Sequence, residues 1–165
     1  MTETGSLTFF CGKMGAGKST LAQRMAAEEG AVLLSEDTWL AALYPGEIAT
    51  FDDYLDRAAR LRPLIRALVL QTLRAGADVV MDFPANTRKQ RAWFLAFATE
   101  AGALHRMIYL EASDALCLER IAQRAEEQPD RGAFDTPEVF RHVAQYFEEP
   151  SEAERLLDSC SVLQS

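Results

Sequence analysis

The chain has 165 residues, 48% of them hydrophobic and 25% charged. This is ordinary globular usage and enough chain for one domain with a sizeable core, so disorder, collagen and coiled coil are excluded as overall descriptions. Seventeen basic against twenty-five acidic residues leave a net charge of −8, which counts against a duplex-DNA binder with its basic face.

In chain order, Leu7-Thr-Phe-Phe-Cys11 is a short apolar run stopped by Gly12 and predicts a buried strand. Residues 19–28 are rich in helix formers and end at Gly30. Residues 31–34 form a second apolar run, followed by the polar break Ser35-Glu36-Asp37-Thr38. One or two helical turns are expected over 38–44, closed by Pro45-Gly46. Asp52 or Asp53 then caps a helix running to Leu73, which Pro63 should kink or divide. A third strand spans 78–82, a helix 87–101 ends at Gly102, and a fourth strand spans 105–110. Asp114 caps a helix to about Gln128, and 128–135 reads as a mobile polar loop. Pro137 opens a helix to Phe147, and 159–163 supplies a last short strand.

The alternation β-α-β-α-β-α-β-α-β predicts an α/β fold. It has a mostly parallel sheet of about five strands with helices on both faces. No repeat or linker divides the chain, so residues 1–165 are read as one domain. Cys11, Cys117 and Cys160 cannot all pair and lie far apart, which suits free thiols in a reducing cytoplasm. No cysteine pair has metal-ligand spacing, and His105 and His142 are the only histidines, so no structural zinc is expected. Met1 to Ser6 holds no basic run, and the apolar stretch after it is too short for a signal segment or a membrane span. Cys11 beside the loop is read as a small buried hydrophobe.

The sharpest signal is Gly12-Lys-Met-Gly-Ala-Gly-Lys18-Ser19, a G-x-x-x-x-G-K-[ST] phosphate loop between a strand and a helix. Its glycines let backbone N–H groups close on phosphate oxygens, and the helix presents its positive end to the anion. Lys18 reaches the β- and γ-phosphates of ATP, and the Ser19 hydroxyl serves Mg²⁺. Lys13, Met14, Gly15, Ala16, Gly17 and Thr20 complete the nucleotide-binding set as loop positions.

A motor ATPase places Asp-Glu after an apolar strand, but here Phe83 follows Asp82. There is no N-K-x-D for guanine either. With these classes disfavoured, small size and an expected mobile, Arg-bearing loop toward the C-terminus point to a phosphotransferase. The chain resembles the small P-loop kinases of the polynucleotide-kinase, zeta-toxin and chloramphenicol-phosphotransferase type, which are AAA-family ATP-binding proteins. The resemblance spans nearly the whole chain. It rests on the phosphate loop, on Leu34-Ser-Glu-Asp37, on Val80-Met-Asp82-Phe-Pro-Ala-Asn86-Thr, and on Arg120 and Arg124 before a loop.

The resemblance implies a three-layer P-loop NTPase fold with a short lid at about 125–136. It also implies ATP- and Mg²⁺-dependent transfer to a hydroxyl. Strand ends are where open α/β sheets bind ligands, so Asp37 is the candidate base, with Glu36 as the neighbour it is confused with and helix capping as its plainer role. Asp82 is a candidate for Mg²⁺ beside Ser19, and Ser35 for a water of its shell or a cap. Arg124 or Arg131 is expected to close over the γ-phosphate, with Arg120 on the same helix face toward the nucleotide. The plainer role for these arginines is surface ion pairing.

Polynucleotide kinases of this group carry an arginine three residues after the base; Leu40 stands there instead. That disfavours nucleic-acid acceptors and leaves a small molecule as the expected partner. Trp39, Leu40, Leu43, Tyr44 and Phe51 suggest an apolar wall, with Leu40 and Leu43 assigned to the core. Of Arg57, Arg60, Arg62 and Arg66, one is available for an acidic acceptor. Asn86 is read as a helix cap and Arg91 as solvated. A polynucleotide or nucleotide 5′-hydroxyl kinase and an ATP-binding switch with weak or no ATPase activity remain the alternatives. Oligomeric state is not legible.

Overall fold

The structure, a computed structural model, describes residues 3–129, 134–155 and 160–164. Five strands form one sheet: β1 (Leu7–Cys11), β2 (Val32–Ser35), β3 (Val79–Asp82), β4 (His105–Glu111) and β5 (Cys160–Gln164). Their order is β2-β3-β1-β4-β5, and every pairing is parallel. The helices are α1 (Lys18–Glu29), α2 (Glu36–Leu43), α3 (Phe51–Arg74), α4 (Arg88–Ala101), α5 (Asp114–Glu127), α6 (Pro137–Ala144) and α7 (Glu152–Arg155).

The central strand β1 is buried at all five residues, as a parallel strand covered on both faces must be. Its side chains alternate between two cores. Leu7, Phe9 and Cys11 join Val79, Met81, Met107 and Tyr109 against α3 and α4. Phe10, Val80 and Ile108 face the other way, onto Ala22 and Ala26 of α1. A third cluster, Ala16, Leu110, Cys117, Ile121 and Phe140, packs α5 and α6 against the phosphate loop. Phe9 stacks on Phe94 with ring centroids 4.7 Å apart. Burying each such ring contributes about 2–3 kcal/mol.

Several expectations shift at the helix ends. Thr50, not Asp52 or Asp53, caps α3, with Asp53 closing the capping box three residues on. Thr87 rather than Asn86 caps α4, and Ser113 rather than Asp114 caps α5. Pro63 does not divide α3: it lies inside one helix from Phe51 to Arg74. Pro63 and Ala59 are both exposed, so water can satisfy the Ala59 carbonyl that loses its donor. α6 ends at Ala144, short of Phe147, and α7 was not foreseen. Leu40 is in the core at 3% exposure, but Leu43 is 51% exposed and is not a core residue. No described helix is long and apolar enough to cross a membrane.

Candidate functional site

The strand order places β1 between β3 and β4, so the connections leaving β1 and β3 diverge at the carboxyl edge of the sheet. That is where this class of fold binds ligands. Three segments converge there: the phosphate loop after β1, the start of α2 after β2, and Asp82 with the loop after β3.

The loop's shape is set by its glycines. Gly15 and Gly17 hold φ of 82° and 101°, where side chains are strained. A Cβ on Gly15 would lie 2.7 Å from the Cys117 carbonyl oxygen of α5. Gly17 is the N-cap of α1 and supplies no side-chain cap, which leaves the first N–H groups of the helix for an anion. The loop is also tied from outside. The Gly12 N–H donates to Asn86 Oδ1 at 3.1 Å. Arg120 Nη1 donates to the Ala16 carbonyl at 3.0 Å. Lys13 Nζ meets Asp114 Oδ1 at 2.8 Å and sits 5.6 Å from the Phe147 ring centroid.

Lys18 turns back along the loop, its Nζ donating to the Gly12 carbonyl at 2.6 Å. Burial pushes its amine below the ordinary lysine value; Cys11, Asp82, Asp37 and Glu36 oppose this electrostatically. A phosphate would supply the missing counter-charge. The Cys11 thiol is pushed up to about 11, burial outweighing the nearby Arg91 and Lys18 charges. At neutral pH it is a thiol and a packing group, as the sequence suggested.

Ser35 and Asp82 are register partners across β2 and β3. The hydroxyls of Ser19 and Ser35 lie beside the Asp82 carboxylate. Burial pushes its carboxyl up, while those hydroxyls and Lys18 pull it down. Ser35 Oγ in turn accepts from the Thr38 hydroxyl at 3.3 Å. Among the described residues no group of three or more His, Cys, Asp or Glu is arranged for a metal. The Ser19–Asp82 donor set is all oxygen with a single carboxylate. It fits Mg²⁺, which takes one or two carboxylates and fills its shell with phosphate oxygens and water.

Glu36 and Asp37 open α2 and diverge. Asp37 is exposed, within electrostatic reach of Lys18, Asp82 and Tyr54. Glu36 is buried at 3% exposure and accepts from the Tyr54 hydroxyl of α3. Burial pushes the Glu36 carboxyl up to about 7 against the pull of that hydrogen bond. The Tyr54 phenol is held well above its usual value by burial and by Glu36. So it stays a donor.

Lys18, Ser19, Asp82 and Asp37, all named from sequence, are thus gathered in one place, and Arg120 is on the loop. Arg124 lies one turn along α5 and forks onto the buried Asp135, Nε to Oδ2 at 3.0 Å and Nη2 to Oδ1 at 2.6 Å. Arg131 lies outside the described residues, as does part of the expected lid. Sequence reasoning missed Tyr54, Asn86 and Arg91. Asn86 grips the phosphate loop rather than capping a helix. Arg91 is not solvated: it is 1% exposed and donates to the Ala85 carbonyl at 3.0 Å and to Glu154. A cleft of about 310 Å³ lies beside Lys13 at the ends of β4 and β5, lined also by Ser113, Phe147 and Glu149. In the sheet order β4 and β5 lie on the opposite side of β1 from β2 and β3, which lead to Asp37 and Asp82.

Solved structures share this architecture. A candidate kinase from Chloroflexus aurantiacus J-10-fl superposes with a TM-score of 0.77 at 20% identity, over 98% of this chain and 89% of its own. The APS kinase CysC of Mycobacterium tuberculosis, solved with AMPPNP and APS, gives 0.64 at 18% identity, over 98% and 89%. A chain of the Pnkp1/Rnl/Hen1 RNA repair complex gives 0.64 at 17% identity, over 90% of this chain and 48% of its own. At such identities the likeness is one of fold, and the fold is that of the P-loop kinases. No curated protein matches the chain. A family model for the AAA domain, AAA_33, matches residues 7–150. That span holds the phosphate loop, both strand-end carboxylates and α5, and so the chain belongs to the AAA_33 family of AAA domains.

Proposed function

We propose that the chain is an ATP- and Mg²⁺-dependent kinase that phosphorylates a hydroxyl of a small-molecule acceptor. The observation that carries this reading is the meeting of the phosphate loop with Ser19–Asp82 and the exposed Asp37 at adjoining strand ends. A nucleotide binder needs only the first of these. A phosphotransferase needs a carboxylate beside the acceptor as well.

In the reaction the acceptor oxygen attacks the γ-phosphorus, the bond to the β,γ-bridging oxygen breaks, and ADP leaves. Asp37 takes the acceptor proton. Lys18 and the loop N–H groups hold the β- and γ-phosphates. Ser19 and Asp82 would hold Mg²⁺, which when bound neutralises charge between those phosphates. Arg120 adds positive charge at the loop. Arg124 reaches the γ-phosphate by exchanging Asp135 for it, and Arg131 is the other candidate for that role.

A small acceptor is favoured over nucleic acid on two grounds. The net charge is −8, and Leu40, where an acceptor-gripping arginine would sit, is buried in the core. The described cysteines carry no disulfide, which supports a reducing, cytoplasmic setting. The test is transfer of the γ-phosphate of labelled ATP into fractions of a metabolite extract, with Lys18→Ala as the blank. A labelled small molecule that depends on Lys18 is expected. Label released only as inorganic phosphate, with ATP bound, would refute the kinase and favour a nucleotide switch.

A further inference from the structure

The described part of α3 carries five arginines, and four have carboxylate partners. Arg57 pairs with Glu47 and Asp56, Arg60 with Asp56, and Arg66 and Arg74 with Glu100. Arg62 is the fifth. It is half-buried and, among the described residues, has no hydrogen-bond or ion-pair partner.

Its position is informative. Tyr54, Ala58 and Arg62 follow one another at four-residue steps along α3, so they lie on neighbouring parts of one side. Helical side chains lean toward the N-terminus, which sends the Arg62 head back toward Tyr54. Tyr54 in turn holds Glu36 at the start of α2, and the Arg62 charge acts on both Tyr54 and Glu36. Arg62 therefore looks onto the acceptor side of the site, where Glu36, Asp37 and Asp82 supply negative charge.

Among the described residues Arg57 Nε is the buried side-chain nitrogen left without a partner, so the Arg62 guanidinium stays open to solvent and to an incoming anion. Its planar fork matches a carboxylate or phosphate and holds it in one orientation. The surrounding carboxylates repel an anion, and Lys18 is turned to the phosphate loop, so Arg62 on the α3 side fixes where an acceptor's anion can sit. We propose that the acceptor carries an anionic oxyacid group, carboxylate or phosphate, besides the hydroxyl that is phosphorylated, and that Arg62 binds that group. The proposal rests on the kinase reading. It turns Arg62 into the residue that selects hydroxylated anions over neutral alcohols and sets the hydroxyl against Asp37.

The test separates a metabolite extract by anion exchange before the kinase assay. Lys18-dependent label is expected from the retained, anionic fraction. Arg62→Gln should raise the KM for that fraction by roughly 30–100-fold, the loss of a charge-assisted fork, with a far smaller change in kcat. Arg62→Lys, which keeps charge without the fork, should fall between. Label from the unretained fraction, at equal rates in wild type and Arg62→Gln, would overturn the proposal and leave the kinase standing. A second measurement needs no turnover. With the phosphate loop saturated by ADP and Mg²⁺, sulfate should raise the Tm of the wild type and not of Arg62→Gln. An equal response in the two proteins overturns the Arg62 assignment whatever the transfer assay gives. An absence of Lys18-dependent label in both fractions strikes at the kinase reading instead.

Discussion

Arg91 and Glu154 lie 63 residues apart in sequence and meet with Nε 2.6 Å from Oε2. Arg91 is fully enclosed and Glu154 about one-quarter exposed. The same guanidinium donates to the Ala85 carbonyl and approaches Cys11 Sγ at 3.6 Å. One side chain thus joins α7, the loop after β3 and the last residue before the phosphate loop. Its neighbour Asn86 holds Gly12, and the Glu148 N–H donates to the Asn86 carbonyl at 2.8 Å. The C-terminal segment is built into the base of the nucleotide site.

Removing one partner of such a pair strands the other charge. Glu154→Gln should therefore destabilise the protein by about 3 kcal/mol, the low end for a broken buried pair because Glu154 keeps some contact with water. Burial acts to raise the Glu154 carboxyl, but donation from Arg91 and Ser151 outweighs it and holds it below the usual value. Its contribution is then present above the unfolded carboxylate range and lost as pH falls through the lower folded value. Urea midpoints at pH 7 and pH 3 measure both. A loss below about 1 kcal/mol at pH 7 would contradict the strap.

Glu36 titrates with the opposite sign. Its folded carboxyl is raised to about 7, so the folded state holds the proton more tightly than the unfolded chain does. The resulting penalty is absent below the unfolded value, near 4.5, grows as pH rises and is complete above about 7. Glu36→Gln keeps the shape and still accepts from Tyr54. It should be close to neutral at pH 4.5 and stabilising at pH 8 by on the order of 1–3 kcal/mol. Denaturation at the two pH values decides; the same difference at both would show that Glu36 is not held as a buried acid.

Much of this was legible in the sequence. All five strands fall within about a residue of their expected spans, because each is a short apolar run ended by Gly or by polar residues. The phosphate loop is a local motif and needs no tertiary information. Caps were displaced because Asp is as good a cap as Thr or Ser, and only geometry shows that Thr50 takes that role while Asp53 closes the box. Arg91 reads as a surface residue by its charge, although it shares a helix face with Phe94 and Ala98, since the partner that lets it be buried arrives with α7. Tyr54 and Glu36 are 18 residues apart with no shared period. Glu36 turns inward on the face of α2 that it shares with buried Leu40, four residues on, and Asp37 falls off that face.

Asn86 makes a further test of how the loop is held. Asn86→Ala removes the acceptor for the Gly12 N–H and should weaken ATP binding by about 5–10-fold, as loss of one hydrogen bond of about 1 kcal/mol allows. The fold should survive, because Thr87 rather than Asn86 caps α4. Binding of a fluorescent ATP analogue with a parallel melting curve separates the two effects. A collapse of stability with ATP affinity unchanged would show that Asn86 serves the fold and not the loop.

The assignment of Asp37 is tested by contrast with Asp82. Both act on Lys18, and Asp82 lies beside the Ser19 and Ser35 hydroxyls. Asp82→Asn should weaken Mg²⁺-dependent nucleotide binding. Asp37→Asn should leave that binding within about twofold and lower kcat by roughly 10²–10⁴-fold, the usual contribution of a positioned base. Glu36→Gln serves as the control at the adjacent position. The readouts are nucleotide affinity with and without Mg²⁺, and single-turnover transfer to the acceptor found with the wild type. If Asp37→Asn transfers at the wild-type rate while Glu36→Gln does not, the base is the buried carboxylate. The raised Glu36 value would then set the pH at which activity appears, with turnover rising through pH 7 as that carboxyl loses its proton.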